Sequence, residues 1–275
     1  MSDVTQNAAS GEDPLRLAIV GAGRMGAAVM QGALAAGVLG PCEVGIYHPN
    51  PRRAAELSER YGVPSLGEDG LRRAERLLLA VKPQSFAAVA PAVARPDAAF
   101  ISLMAGVSAK RIAERLGSDR VIRAMPNLGA SLGVSATALC ALPGASAEDL
   151  AMARSLFGAV GSVYDLKEEL FDAFTGMAGS GPAFAAVVAE ALADGGVRVG
   201  LDRSMARELA RQVLLATARL LETKHPSELK DEVSSAGGTA IAGVRTLERH
   251  RLRFALIDAI EEATRRASEL SQEER

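Results

Sequence analysis

Short apolar runs alternate with helical patterns through the first half of the chain. Leu15–Val20 (LRLAIV) reads as a strand, followed at once by GAGRMG, Gly21–Gly26, and by an Ala-rich helical segment ending near Gly37. Further strands are predicted at Cys42–His48, Arg76–Val81, Ala98–Gly106, Asp119–Asn127 and Ser135–Pro143. Helices are predicted between them at PRRAAELSERYG, FAAVAPAVA and SAKRIAERLG, the last with Ser108 as its N-cap. Strands alternating with helices at this spacing predict an α/β, doubly wound, mostly parallel sheet.

From about Leu166 the alternation stops and only helical patterns follow. One helix is expected from Pro182, and its residues 183–193 are apolar almost all round, which demands burial in a large core or at a subunit interface. Another begins near an Asp202 N-cap, then come HPSELKDEV, IAGVRTLERH and LRFALIDAIEEATRRASEL. Between HPSELKDEV and IAGVRTLERH, at residues 234–240, SSAGGTA interrupts the helix formers. A glycine inside a helix costs about 1 kcal/mol, so the Gly-Gly pair marks a break.

The 275 residues suggest two domains: a dinucleotide-binding domain over 14–165 and a helical domain over 166–275, after a disordered arm over 1–13. The formal net charge is −2, with three His and no Trp, which argues against a nucleic-acid partner. No apolar run in the sequence approaches the roughly 20 residues that span a bilayer, and the polar, acidic start lacks the order of a signal peptide. Cys42 and Cys140 show no metal spacing and read as small hydrophobes in a reduced, cytoplasmic setting; no metal site is expected.

A GxGxxG between a strand and a helix is the context of a dinucleotide site. Gly21 permits the tight turn, Gly23 admits the pyrophosphate, and Gly26 allows helix and strand to pack closely, with Arg24 and Met25 between them. An NAD site places an acid at the end of the second strand; here that end reads Tyr47-His48-Pro49-Asn50-Pro51-Arg52-Arg53. With no acid, an Asn50 amide and two arginines that could pair with a 2′-phosphate, NADPH is favoured over NADH. The competing reading of Arg52 and Arg53 is a pair of solvated charges on a helix start. The turns Ala80-Val81-Lys82-Pro83, Ala105-Gly106 and the one at Asn127 each end an apolar run and should line the same crevice. Lys82 serves there either as an anion contact or as a surface lysine, and Arg123, inside a strand, reads as a structural ion pair.

IVGAGRMG, AVKPQ, ISLMAGVS, RAMPN, GSGPAF, ALADGGVRVGL, HPSELKDEV, GGTAI and TLERHRLRFALIDAI stand in an order that resembles the pyrroline-5-carboxylate reductases from about Leu15 to Leu270. The resemblance implies a Rossmann domain followed by an all-α domain that interlocks in a dimer, often within a decamer. It also implies reduction of a cyclic imino acid to L-proline with NADPH or NADH, and no membrane partner. By the same resemblance SSAGGTA is the substrate loop, with Ser234, Ser235, Gly237, Gly238, Thr239 and Ala240 as substrate-binding positions. A turn of small residues opening a helix makes an anion-binding concavity, which suits a carboxylate. The chain departs from the family at Ala236 (family Pro), at Ala240 (family Thr), and at Leu128-Gly129 (family Thr-Pro). Ala240 has no hydroxyl to offer the imine nitrogen, so the resemblance implies a substitute there, with Thr239 and Ser234 as candidate catalytic groups or a water in their place, or else a related cyclic imine as substrate, or a weakly active or non-catalytic NADP-binding homologue. A β-hydroxyacid dehydrogenase would need a Lys or His base on the first helix of the second domain, and PAFAAVVAEALAD has neither.

Overall fold

The computed structural model describes residues 15–273; the arm expected over 1–13 lies outside them. The chain divides into two compact units, one running to Gly179 and including the chain from Arg265, the other Ser180–Thr264.

The first unit is built on a seven-stranded sheet in the order β2-β1-β3-β4-β5-β6-β7. Its strands are β1 (Leu17–Val20), β2 (Val44–Tyr47), β3 (Arg76–Leu79), β4 (Ala99–Ser102), β5 (Val121–Pro126), β6 (Ser135–Ala141) and β7 (Gly161–Asp165). Pairing is parallel throughout except between β5 and β6. The mostly parallel, doubly wound sheet read from the sequence is therefore present. Among the elements that went unread there are the edge strand β7, the preceding helix Ala147–Gly158 and the short helix Phe171–Phe174.

The first unit's helices are α1 (Arg24–Ala35), α2 (Pro51–Tyr61), α3 (Glu68–Arg73), α4 (Pro83–Val93), α5 (Ala109–Leu116), α6 (Ala147–Gly158) and the short α7 (Phe171–Phe174). Strand side chains alternate between the two layers, as a period of two requires. Leu17 and Ile19 pack with Val29 and Met30 of α1 and Leu156 and Phe157 of α6. Ala18 and Val20 face the other way, into a core with Phe86 and Val89 of α4 and Ile112 of α5. The central parallel strands β1, β3 and β4 are thus buried on both faces, as strands covered by helices on both sides must be, whereas the edge strand β7 is not.

The second unit holds α8 (Gly181–Arg198), α9 (Arg203–Leu220), α10 (Pro226–Val233), α11 (Thr239–Arg249) and most of α12 (Leu252–Glu273). Pro182 lies in the first turn of α8 and Asp202 caps α9, accepting from Ser204 N at 2.8 Å and Met205 N at 3.1 Å. The small residues Ala193, Ala206 and Ala210 bring α8 and α9 together. Within this chain the apolar face of α8 is otherwise uncovered: Val187 is 65% and Leu192 46% exposed. One correction follows. The helical run Glu168–Arg198, 31 residues, is long and apolar enough to cross a membrane by length and composition alone, contrary to the reading of the sequence.

Candidate active site

The turn from β1 into α1 is held from two sides. Gly21 has φ +80° and donates its N–H to Tyr47 O at 3.0 Å, which ties the turn to the end of β2. A Cβ on Gly21 would meet Val81 Cγ1 at 2.6 Å, so only glycine fits. Gly23 is exposed, and a Cβ there would meet nothing within 4 Å. A Cβ on Gly26, by contrast, would lie 2.7 Å from that of Ala80. No side chain caps α1 and no acid stands in its first turn, so its leading N–H groups and positive dipole end remain available. A backbone open at Gly23 in front of an uncapped helix fits a pyrophosphate.

At the end of β2 a second helix start is preorganised. Asn50 caps α2, its Oδ1 accepting from Arg52 N at 3.0 Å and Arg53 N at 3.4 Å, while Asn50 N donates to His48 Nδ1 at 3.0 Å. The Asn50 carbonyl oxygen is therefore engaged in the cap, leaving its Nδ2 as the donor toward a ligand. The two arginines differ. Arg53 donates to Glu56 at 2.8 Å, whereas Arg52, like Arg24 at the first position of α1, is exposed with no ion-pair partner among the described residues.

The remaining turns lie at the carboxyl ends of parallel strands, where open α/β sheets bind ligands. After β3, Ala80 and Val81 back the glycine turn, and Lys82 opens α4 from an exposed position with its side chain unpaired among the described residues. After β4, Ala105 is exposed and Gly106 has φ +76°. After β5, the Asn127 side chain is engaged at both ends: Oδ1 accepts from Gly129 N at 3.0 Å and Nδ2 donates to Ala178 O at 3.0 Å. A side-chain bond from Asn127 to a cofactor would require breaking one of these. Arg123 has the structural role expected of it. It donates to Glu168 Oε1 at 2.8 Å and lies 4.6 Å above the Phe171 ring.

In the helical unit, α10 ends at Ser234, a β-turn closes with Gly238 N donating to Ser235 O at 3.0 Å, and α11 starts at Thr239. Gly237 carries the turn at φ +67°. No side chain caps α11, so the amides of Thr239, Ala240 and Ile241 have no capping partner. Ser234 Oγ is buried and has no hydrogen-bond partner among the described residues. An orphaned buried hydroxyl costs about 1–3 kcal/mol, and the sequence gives no sign of one. Uncapped amides, an unpartnered hydroxyl and a glycine that lets a ligand approach the backbone fit a carboxylate. His225 caps α10. Among the described residues no group of three or more His, Cys, Asp or Glu could hold a metal ion.

Comparison with known proteins matches two family models, one described as pyrroline-5-carboxylate reductase dimerisation over residues 168–270, the other as NADP oxidoreductase coenzyme F420-dependent over residues 16–106. The chain is 51% identical over 261 residues to the pyrroline-5-carboxylate reductase of Thermus thermophilus, covering 94% of this chain and 100% of the relative. The crystal structure of 1-pyrroline-5-carboxylate reductase from Streptococcus pyogenes is 34% identical with a TM-score of 0.82, covering 92% of this chain and 98% of that one. That of Plasmodium falciparum pyrroline carboxylate reductase with NADP bound is 23% identical and shares the fold, with a TM-score of 0.82, covering 94% and 98%.

Proposed function

The chain belongs to the pyrroline-5-carboxylate reductase family, which reduces 1-pyrroline-5-carboxylate to L-proline with a nicotinamide dinucleotide, and we propose that its two uncapped helix starts divide this work. The start of α1, with Gly21, Gly23, Arg24, Met25 and Gly26, holds the pyrophosphate. Ala80 to Pro83, Ala105 and Gly106 continue the same edge of the sheet, with Asn127 beyond them. The start of α11 holds the substrate carboxylate on the amides of Thr239, Ala240 and Ile241, with Ser234, Ser235, Gly237 and Gly238 shaping the turn. The observation that carries this second assignment is the buried, unpartnered Ser234 Oγ beside an uncapped helix.

The reduced nicotinamide, when bound, supplies the hydride. The chain's own groups bind and orient: backbone amides at two helix starts fix two anions, and the orientation they impose lowers the barrier. Ala240 has no hydroxyl, so Thr239 or Ser234 Oγ hydrogen-bonds the imine nitrogen, donating to it while it is neutral and accepting from its N–H once it is protonated. NADPH is the preferred cofactor, because the end of β2 carries an unpaired Arg52 and no carboxylate. His48 and Asn50 line the ribose beside it, and Arg53 acts from behind Glu56.

The chain forms a homo-oligomer through its dimerisation domain, and the uncovered face of α8 fits a second copy. Assembly into a decamer in the cytoplasm extends that reading. The test is to mix the purified protein with racemic 1-pyrroline-5-carboxylate, or its six-membered analogue, and follow consumption of NADPH and NADH. Faster NADPH oxidation with the five-membered ring is expected. A preference for NADH or for the larger ring would overturn the corresponding assignment.

A further inference from the structure

The last turn of α12 returns to the dinucleotide-binding unit and is fastened there by one carboxylate. Ser268 and Ser271, three residues apart and so on one face of the helix, donate to Asp172 Oδ2 at 2.9 Å and Oδ1 at 3.0 Å. Both oxygens of Asp172 are thereby taken up by a single helical turn. This is not a contact that charge alone would make. The carboxyl end of a helix carries partial negative charge and disfavours a carboxylate, so the two hydroxyls must hold it.

What the fastened turn touches is the tip of the β4–α5 connection. A Cβ on Gly106 would lie 3.5 Å from both the Leu270 carbonyl oxygen and Ser271 Cα. The flanks of that connection are anchored separately. Met104 N donates to Ser102 Oγ at 3.2 Å, Ser108 caps α5, and Glu168 accepts from Ala109 N at 2.7 Å. Between those anchors, the backbone of Ala105 and Gly106 makes no hydrogen bond among the described residues, and Gly106 is held at φ +76°. A polar cavity of about 290 Å³, bordered by Gly106, Arg123, Glu168, Asp172 and Ser271, lies against the same tip. Packing against α12 therefore limits how far the tip can move.

We infer that Asp172 is a positioning residue for the dinucleotide: through Ser268 and Ser271 it seats the end of α12 against Gly106 and keeps the Ala105–Gly106 tip in its binding conformation. The inference rests on the assignment of that tip to the cofactor site. It gives the carboxyl end of the chain a part in cofactor affinity, although none of these three side chains need touch the cofactor.

The test compares Asp172→Ala and the double variant Ser268→Ala/Ser271→Ala with the wild type in full-length protein. NADPH binding is measured by quenching of its fluorescence, steady-state constants are measured for both substrates, and melting curves are recorded. Wild type should bind NADPH. Both variants should bind it about ten-fold more weakly, the change expected when the competent fraction falls to about a tenth. At saturating cofactor, kcat and the KM for the imine should stay within about two-fold of wild type, a split that general destabilisation does not produce. Unchanged NADPH affinity in folded variants, or equal losses in kcat and in both KM values, would overturn the inference. No binding by wild type would overturn the cofactor-site assignment and this inference with it. Should Asp172→Ala fail to fold, the serine double variant decides alone.

Discussion

Gly26 in α1 lies against Ala80 at the end of β3, so closely that a Cβ on residue 26 would stand 2.7 Å from that of Ala80. Ala80 N in turn donates to Val20 O at 2.9 Å, which leaves its backbone no freedom to retreat. Gly26→Ala should therefore destabilise the protein by about 1–3 kcal/mol through overpacking, read as a lowered melting temperature. It should also weaken NADPH binding, since α1 is pushed off the strand that backs its own start.

The arginines of α2 should not be equivalent. Arg52 has no ion-pair partner among the described residues, while Arg53 bonds Glu56 at 2.8 Å. Arg52→Ala should raise the KM for NADPH about ten-fold or more and leave that for NADH within about two-fold, the loss of one exposed charge-assisted phosphate contact being about 1.5 kcal/mol or more. Arg53→Ala should have the smaller effect. Equal effects on the two cofactors would assign the 2′-phosphate elsewhere.

At the amino ends of the strands, Asp149 of α6 is fully buried and bonded to Arg76 at 2.9 Å and to Arg120 at 2.9 and 3.0 Å. Burial alone would push its carboxyl up, but the Arg120 guanidinium and the Ser146 hydroxyl and N–H hold it below the ordinary value of 3.8. A carboxylate depressed in the folded state contributes stability that is fully present above its unfolded value and is lost as pH falls through the folded one. Denaturation curves should thus show stability falling below about pH 3.8. Asp149→Asn should cost about 3 kcal/mol at neutral pH, by removing the buried charge that pairs with buried Arg76 and half-buried Arg120, and should flatten the acid limb.

The late turn can be probed by adding and removing one hydroxyl. Ser234→Ala should raise the KM for the imine several-fold, about 1 kcal/mol or more of lost hydrogen bonding, while the melting temperature of the free protein rises, because removing an unpartnered buried hydroxyl relieves its desolvation cost. Ala240→Thr should increase turnover if a hydroxyl at that position serves the imine nitrogen. Unchanged turnover would mean that Ser234 or Thr239 already does so.

Much of the dinucleotide-binding unit was legible because its signals are local. GAGRMG fixed the β1–α1 turn, and Ser108 and Asp202 cap the helices they were expected to cap. β7 was missed for a physical reason: it is a five-residue edge strand entered through Gly161, whose φ of +148° and contact with Ser135 are tertiary features. The helix before it did carry a local signal, the Ser146–Asp149 capping box, which was not read. Composition marked α8 as a helix needing burial, yet a single chain cannot show what covers it. The unequal fates of Arg52 and Arg53 turn on side-chain pairing with Glu56, an i,i+3 relation visible in the sequence but undecided by it. The orphaned Ser234 Oγ and the clasp of Asp172 left no trace in the sequence at all.

The most direct measurement is a crystal structure of the protein with L-proline and NADP+ bound. The proline carboxylate should lie within hydrogen-bonding distance, about 2.7–3.2 Å, of backbone N–H groups at the start of α11, with the nicotinamide ring beside the proline ring. A carboxylate held instead by arginine or lysine side chains, with the amides from Thr239 to Ile241 facing water, would contradict the account.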